Sequence, residues 1–295
     1  MIIDLKKSKL TLADALAQAK EYDIIYLDDI EYFEKLVIKT PNLTIKGRSN
    51  SKINFNANNS SIIPYELGGD GIKKYGTTGS ATLTISSTAN NFHMENVTVI
   101  NSYDDGLNDK FGRQAVAFKS EISNLFVKNC RFIGNQDTLY VDYGKNNYII
   151  NSYIEGDVDF VFGSADCFFI NCEIFAKKSY KSYYIAPNTY NNNSLGLVFI
   201  KCNFTKDVDT ETYLGRWWFP NKSLLPIEPI ASFIECIFTG NINMNVIKMH
   251  KEDLKEGKLF IKNSYINNNL INFNNDDLLY NSIMKNVGDI SDKLS

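Results

Sequence analysis

The chain repeats a short phrase, and this repetition restricts its possible folds more than any other feature. Each copy has an apolar run, a polar residue, a Cys or Ser, and then further apolar residues. In six copies the Cys or Ser is Cys130, Ser152, Cys172, Cys202, Cys236 and Ser264. These positions are separated by 22, 20, 30, 34 and 28 residues. A period of about 20 residues with insertions of variable length is typical of a solenoid.

The apolar runs around these positions predict strands. They are rich in β-branched and aromatic residues, as in 148–150 (Tyr-Ile-Ile) and 197–200 (Leu-Val-Phe-Ile), and Asn, Gly, Asp and Lys separate them. Because each coil would stack its strands on those of the next coil, the sequence predicts an all-β fold, a parallel β-helix. The insertions then form loops on one side, where function usually resides.

Both ends of the chain differ from the repeats and predict helices. Thr11 is a helix-capping residue followed by helix formers, so we expect an N-terminal helical cap within residues 1–22. We expect a C-terminal helical tail at 275–295, where three apolar residues share one helical face: Leu279, Ile283 and Val287. Both helices are expected to cover the open ends of the solenoid. Without a Pro/Gly-rich linker, residues 1–295 are predicted to form a single domain.

Composition argues against several classes of partner. The formal net charge is −3, so no basic field for nucleic acid is present, and no apolar run of about 18 residues predicts a membrane span. We therefore expect no nucleic-acid or membrane partner. We also expect the protein to be a monomer. The start, Met-Ile-Ile-Asp, does not resemble a signal peptide. This favours a cytoplasmic location, with secretion after removal of a signal as the alternative.

The histidines and cysteines do not predict a metal site. His93 and His250 are the only histidines, and neither has metal-ligand spacing, so we expect no metal and no cofactor. Four of the five cysteines occupy the repeated position, and Cys167 is the fifth. An odd total without a CxxC motif favours buried, unpaired thiols over disulfides or a metal cluster. Reduced thiols also suit the cytosol.

Two adjacent copies carry an aspartate at the same position. Asp137 follows Cys130 by seven residues, and Asp159 follows Ser152 by seven. Because equivalent positions of neighbouring coils lie about 4.8 Å apart, we expect the two carboxylates within about 6 Å of each other. Two solvated turn aspartates are the alternative. Apolar residues follow both acids, however, which favours a functional pair.

Four blocks, in this order and spacing, resemble the signature blocks of the pectin methylesterase (pectinesterase) family. They are 114–118 (QAVAF), 136–140 (QDTLY), 156–163 (GDVDFVFG) and 213–218 (YLGRWW). An upstream block at 76–82 (GTTGSAT) is also similar, and the resemblance extends from about residue 11 to about residue 240. The family fold is a right-handed parallel β-helix, in agreement with the repeats.

The resemblance implies hydrolysis of the methyl ester at C6 of galacturonate units in pectin or oligogalacturonides, with release of methanol and without a cofactor. It implies that Asp159 is the nucleophile and that Asp137 protonates the departing methanol and then activates water. Gln114 and Gln136 would donate hydrogen bonds to the oxyanion. Arg216 would pair with Asp159 and keep it ionised. This division suits the chemistry, since ester hydrolysis needs a nucleophile, a proton donor and an oxyanion site.

The resemblance also implies a substrate-binding set and shows two departures. Thr77, Tyr140, Phe162 and Trp218 would contact the sugar units. Trp217 stands where the family usually has Pro, which is expected to reshape the neighbouring subsite. The family also commonly has a further Trp downstream, and none follows here.

Two other functions remain open from the sequence. A polygalacturonase-like glycosidase on a β-helix would also use two carboxylates. A catalytically inactive pectin-binding solenoid is the second alternative. The chain lacks the Gly-His-Gly segment usual in polygalacturonases, and Gln136-Asp137 fits the esterase better.

Overall fold

The computed structural model describes residues 1–104, 113–190, 193–207, 209–220, 226–249 and 255–294, with side chains to residue 288. Over these residues the chain forms 27 strands, three α-helices and one short 3-10 helix. The helices are α1 (Leu12–Gln18), α2 (Gly76–Gly79) and α3 (Asp277–Leu294), and the 3-10 helix is Tyr65–Leu67.

The strands form three parallel ladders that run along the molecule. The first ladder contains β1 (Ile2–Asp4), β2 (Ile24–Tyr26), β5 (Thr44–Lys46), β8 (His93–Glu95), β11 (Phe126–Lys128), β14 (Asn147–Ile150), β17 (Cys167–Ile170), β20 (Leu197–Ile200), β23 (Ile230–Ile234) and β26 (Lys258–Ile266). The second contains β3 (Glu31–Phe33), β6 (Lys52–Phe55), β9 (Thr98–Asn101), β12 (Arg131–Ile133), β15 (Tyr153–Gly156), β18 (Glu173–Ala176), β21 (Asn203–Lys206) and β24 (Ile237–Phe238), which pairs with the end of β26. The third contains β4 (Leu36–Ile38), β7 (Leu83–Ile85), β10 (Phe118–Ser120), β13 (Leu139–Val141), β16 (Val158–Gly163), β19 (Lys181–Pro187), β22 (Glu211–Trp217) and β25 (Ile242–Lys248). The coils from β2 to β25 each contribute one strand to each ladder, so the predicted parallel β-helix is confirmed.

The repeated Cys or Ser marks the bend between the first and second ladders. Strand registers place all six repeated positions in one column, since Arg131 pairs with Tyr153 and Tyr153 with Glu173, and so on along the chain. The residue before each of these positions has a left-handed backbone conformation, as at Asn129 (φ 54°) and Asn151 (φ 49°). Asn tolerates this conformation better than most residues, which explains why it precedes four of the six positions.

The column of small polar and sulfur side chains is buried. All five cysteines are buried and unpaired, so the prediction of free thiols is confirmed. At each position the side chain donates to the carbonyl oxygen two residues earlier, as in Ser152 Oγ to Ile150 O at 2.9 Å and Cys172 Sγ to Ile170 O at 3.5 Å. Thiol and hydroxyl groups therefore fill the same place in successive coils.

Stacked aromatic rings fill the interior beside this column. The rings of Phe169, Phe199 and Phe233 stack on one another, with centroid distances of 4.6 and 5.0 Å. Equivalent positions of successive strands point the same way, so a repeated residue type produces a continuous stack. This stack forms part of the largest hydrophobic cluster of the described residues.

The N-terminal segment combines a helix with a strand. Thr11 caps α1, accepting a hydrogen bond from the Asp14 N–H at 3.0 Å, and Leu12 is fully buried in the core at the first coils. Residues 1–22 are not wholly helical, however. β1 pairs with β2 in the first ladder, because this pairing buries Ile3 in the core.

The C-terminal helix lies on the side of the solenoid rather than over its end. Ile283 of α3 is buried against outward-facing residues of the first ladder, including Phe168, Val198 and Ile234. Alternate residues of a strand point outward, and here they are apolar on successive coils, so they provide a hydrophobic strip for the helix. The expectation that this helix closes the open end was therefore wrong. β27 (Asn269–Phe273) instead pairs antiparallel with β26, the last strand of the ladder.

No helix in the described part of the chain is long and apolar enough to cross a membrane.

The column of thiols and hydroxyls predicts how the core tolerates substitution. We expect Cys172→Ser to cost about 1 kcal/mol, because a hydroxyl at this position finds a carbonyl acceptor, as Ser152 does. Cys172→Leu should cost more, about 1–3 kcal/mol, because it overpacks the column. Urea unfolding monitored by circular dichroism measures both, with Ser152→Cys as the matched control. A serine variant less stable than the leucine variant would contradict this account.

Candidate active site

A cavity of about 410 Å³ lies on the outer face of the third ladder. Each of the nine residues predicted from the sequence contributes to its lining. The lining residues are Thr77, Thr78, Gln114, Gln136, Asp137, Tyr140, Asp159, Phe162, Ala186, Arg216, Trp218 and Met249. The structure therefore brings together side chains that are distant in the sequence. The most distant two of the predicted set, Thr77 and Trp218, are 141 residues apart.

The two aspartates occupy equivalent places on adjacent coils. Leu139 pairs with Val161 and Tyr140 with Phe162, so no insertion separates the two coils and the sequence alignment of Asp137 with Asp159 is correct. Both residues have a left-handed backbone conformation, with φ of 65° at Asp137 and 51° at Asp159. Such conformations cost free energy in residues other than glycine and concentrate at functional sites.

A β-bulge orients Asp159. The register between β16 and β19 shifts between Val158 and Val161, so that Asp159 and Phe160 lie opposite the single residue Tyr184. A bulge re-aims one side chain without ending the strand. Here it turns the Asp159 carboxylate into the cavity while Phe160 stays in the hydrophobic core.

Arg216 holds the Asp159 carboxylate with two donors. Its Nε donates to Oδ1 at 2.9 Å, and its Nη2 donates to Oδ2. The guanidinium also lies over the Tyr183 ring, 4.4 Å from the ring centroid. The Asp159 side chain is 6% exposed and that of Arg216 22% exposed. A bidentate pair shielded from water fixes both the charge and the direction of the carboxylate.

The two acids differ in their affinity for a proton. Burial raises the pKa of Asp137 well above its usual value, and the neighbouring Asp159 charge raises it further. Burial also raises the pKa of Asp159, but Arg216 offsets part of that rise. Asp137 is therefore the member of the pair that binds a proton more readily, and Asp159 is the one more readily ionised.

Two glutamine amides lie beside the acids. Gln136 hydrogen-bonds the Asp137 side chain through its own side chain. The Asn59 side-chain amide donates to Oε1 of Gln114, which leaves the N–H groups of Gln114 available to the cavity. Asn59 was missed in the sequence. It lies in a run of polar residues (56–61, Asn-Ala-Asn-Asn-Ser-Ser) where no motif distinguishes it from its neighbours.

Aromatic side chains form one wall. The rings of Tyr140 and Phe162 are parallel, with centroids 4.4 Å apart and an interplanar angle of 2°. Trp218 is tilted by 57° against Phe162 at 5.9 Å. Since Tyr140 and Phe162 are paired residues of adjacent strands, their stacking follows directly from the register. The wall offers a flat apolar surface next to the carboxylates.

The two sequence departures have separate structural consequences. Trp217 points into the solenoid and is only 3% exposed, whereas Trp218 faces the cavity. Trp217 therefore does not line the subsite that it was expected to reshape. Met249, which no motif in the sequence indicated, packs against the aromatic wall and lines the cavity. Thr78, beside the predicted Thr77 on α2, was also missed.

The histidines do not contribute to the cavity lining as far as they are described. His93 is exposed on β8, with its ring 5.3 Å from that of Phe126. His250 lies outside the described residues. Among the residues that the structure describes, no group of three or more His, Cys, Asp or Glu could hold a metal ion.

Sequence comparisons match the chain to known proteins. The sequence model of the pectinesterase family matches residues 4–235. Pectinesterase 31 of Arabidopsis thaliana is 35% identical over 147 residues, which cover 49% of this chain and 43% of that protein. Pectinesterase A of Dickeya chrysanthemi is 31% identical over 246 residues, which cover 74% of this chain and 64% of that protein. The chain thus spans less than two thirds of the length of these curated relatives.

Solved structures share the fold. A pectin methylesterase mutant in complex with a hexasaccharide has a TM-score of 0.81 and 25% identity, covering 95% of this chain and 94% of that chain. Pectin methylesterase from Yersinia enterocolitica has a TM-score of 0.70 and 26% identity, with 84% and 87% coverage. These similarities confirm the right-handed parallel β-helix.

The stronger rise in the pKa of Asp137 predicts different stability effects at the two acids. A raised pKa in the folded state means that the contribution of Asp137 to stability is complete below about pH 4 and is lost as the pH rises towards the folded pKa. Asp137→Asn escapes that loss, so we expect it to stabilise the protein at pH 7 and to have little effect at pH 4. Asp159→Asn should change the stability at pH 7 less, because Arg216 already offsets part of the rise that burial causes in the pKa of Asp159.

Thermal unfolding of both variants at pH 4 and pH 7 measures this contrast. A destabilised Asp137→Asn variant at pH 7 would show that Asp137 is ionised and favourably paired in the folded protein.

Proposed function

We propose, because the chain belongs to the pectinesterase family, that it hydrolyses the methyl esters of galacturonate units in pectin or oligogalacturonides and releases methanol. One observation carries this proposal: Asp137, with its raised pKa, and the Arg216-bound Asp159 face the same cavity beside two amides and an aromatic wall. Ester hydrolysis requires those parts, and no cofactor.

In the first half of the reaction, Asp159 attacks the ester carbonyl carbon. Arg216 fixes the carboxylate so that little freedom is lost when the attack begins. The amides of Gln114 and Gln136 donate to the developing oxyanion, and as neutral donors they do not neutralise the nearby nucleophile. The carbon–methoxy bond breaks, the methoxy oxygen takes the proton of Asp137, and methanol leaves from an acyl-Asp159 intermediate.

In the second half, Asp137 works in the opposite direction. It is now a carboxylate, and it takes a proton from water as the water oxygen attacks the acyl carbon. The bond between the acyl group and Asp159 breaks, which restores the Asp159 carboxylate and the proton of Asp137. Since Asp159 is uncharged in the acyl state, the pair carries one negative charge throughout the cycle. The repulsion of two adjacent carboxylates is therefore avoided at every step.

The charge of the pair also explains a preference for the ester. An ionised galacturonate in the reacting position would bring a second carboxylate against Asp159, whereas a methyl ester is neutral. The wall of Tyr140, Phe162 and Trp218 suits the apolar face of a sugar ring. The monomeric state, the cytoplasmic location and the single-domain organisation stay predictions.

The assigned roles predict an order of activities in methanol release from methylated oligogalacturonides. Asp159→Asn removes the nucleophile and should reduce turnover to near background, and Asp137→Asn should be almost as severe because methoxide leaves poorly without a proton. Arg216→Lys keeps the charge but loses the two-donor geometry, so we expect a large, incomplete loss. Gln136→Ala should cost about 100-fold, as for one oxyanion donor.

Circular dichroism of each variant is the control for folding, and a reducing-sugar assay is the control for chain cleavage. Near-normal methanol release by folded Asp159→Asn would contradict the mechanism. New reducing ends without methanol would favour the glycosidase instead, and no turnover of either kind by the wild type would favour a binding protein.

A further inference from the structure

A pair of stacked tyrosines lies next to the cavity and has no role in the mechanism above. The rings of Tyr143 and Tyr190 lie 4.9 Å apart with an interplanar angle of 22°, and the Tyr190 hydroxyl donates to the Tyr143 hydroxyl at 3.3 Å. Tyr143 is 46% exposed, so it is open to solvent although its ring is stacked. We call these two residues the tyrosine platform.

The platform continues the aromatic wall of the cavity. Tyr143 follows Tyr140 by three residues and Tyr190 follows Ala186 by four, so both leave the third ladder at the same edge. At about 3.3 Å per residue, Tyr143 lies on the order of 10 Å from Tyr140. The coil between them has the small, buried residues Ser164 and Ala165 at this place, and the two rings meet across it.

A buried hydrogen-bond network connects the platform to the cavity. Asp142, only 7% exposed, accepts from Ser164 Oγ at 2.5 Å and from the hydroxyl of Tyr140. Ser164 Oγ in turn accepts from the backbone N–H of Tyr143 at 3.0 Å. Tyr140 in the wall and Tyr143 in the platform are thus held by the same two side chains. An arrangement fixed before binding loses little entropy when a ligand arrives.

We propose that the tyrosine platform is an additional binding subsite for a pyranose ring of the same sugar chain, beyond the units held in the cavity. This rests on the proposed function. A polymeric substrate must leave the cavity over one of its edges, and this edge carries a rigid, exposed ring with hydroxyl groups. Tyrosine offers a large contact area and a hydrogen-bonding hydroxyl with few rotatable bonds, which suits a sugar ring. The platform therefore favours long substrates over short ones.

Paired variants test this with methylated oligogalacturonides of three and of eight units. Tyr143→Asn removes the ring but keeps a residue that tolerates φ of 57°. We expect kcat/KM for the eight-unit substrate to fall about tenfold, as for loss of one aromatic anchor, and that for the three-unit substrate to stay within about twofold. Tyr190→Ala should act in the same way, whereas Tyr190→Phe keeps the ring and should resemble the wild type.

Tyr22→Asn is the matched control. Tyr22 is also an exposed tyrosine with positive φ (67°), but it lies between α1 and β2, in the first coil. It should leave both substrates unaffected. Equal losses of Tyr143→Asn on both substrates, or no loss on either, would overturn the platform subsite.

A calorimetric measurement separates this proposal from the proposed function. If the wild type released no methanol from either substrate, the esterase proposal would fail. The platform would still be supported if the eight-unit oligogalacturonide bound the wild type about tenfold more tightly than Tyr143→Asn. Equal affinities in that experiment would overturn the platform as well.

Discussion

The register between adjacent coils of the third ladder is the constraint on which the site depends. Residues at equivalent positions lie about 4.8 Å apart, so a motif repeated without insertion places the same atoms side by side. The pairing of Tyr140 with Phe162 aligns Asp137 with Asp159 and stacks the two aromatic rings in the same step. One residue inserted within 137–140 or within 159–162 would shift the acid relative to the aromatic ring of its coil, so the two alignments could no longer form together. The acid pair and the wall that faces it are therefore consequences of a single geometric condition.

That condition creates an electrostatic problem, because two buried carboxylates at coil spacing repel each other. The chain resolves it asymmetrically. Arg216 comes from a strand two ladder positions beyond that of Asp159, reaches back to it with two donors, and leaves Asp137 to retain a proton. Tyr183, on the strand between them, supports the guanidinium from one face. The site thus extends across β13, β16, β19 and β22, and its charge balance depends on four successive coils being in register.

The extent to which the sequence predicted this structure follows from the range of each interaction. The cysteine column and the alignment of Asp137 with Asp159 depend on a local period, and the period is visible in the sequence. The residues that were missed depend on contacts between distant segments. Asn59 reaches Gln114 from a loop 55 residues earlier, and Met249 directly follows β25, whose sequence resembles no motif. The position of α3 was wrong for a similar reason: its apolar face was recognised, but the outward strip of Phe168, Val198 and Ile234 that receives it alternates with core residues along each strand.

The left-handed backbone at Asp137 and Asp159 connects the fold to the choice of catalytic residue. From β8 onwards, each bend from the first to the second ladder contains a residue in the left-handed conformation, and Asn occupies it at Asn129, Asn151 and Asn171. The acids of the cavity adopt the same conformation, at φ of 65° and 51°. Asp and Asn tolerate this conformation because their short polar side chains can bond to nearby backbone, whereas longer side chains gain no such compensation. A glutamate at position 159 would both cost more in the backbone and extend its carboxylate past the two donors of Arg216. The left-handed backbone conformation at the bulge and the distance to the donors of Arg216 therefore both favour aspartate at position 159.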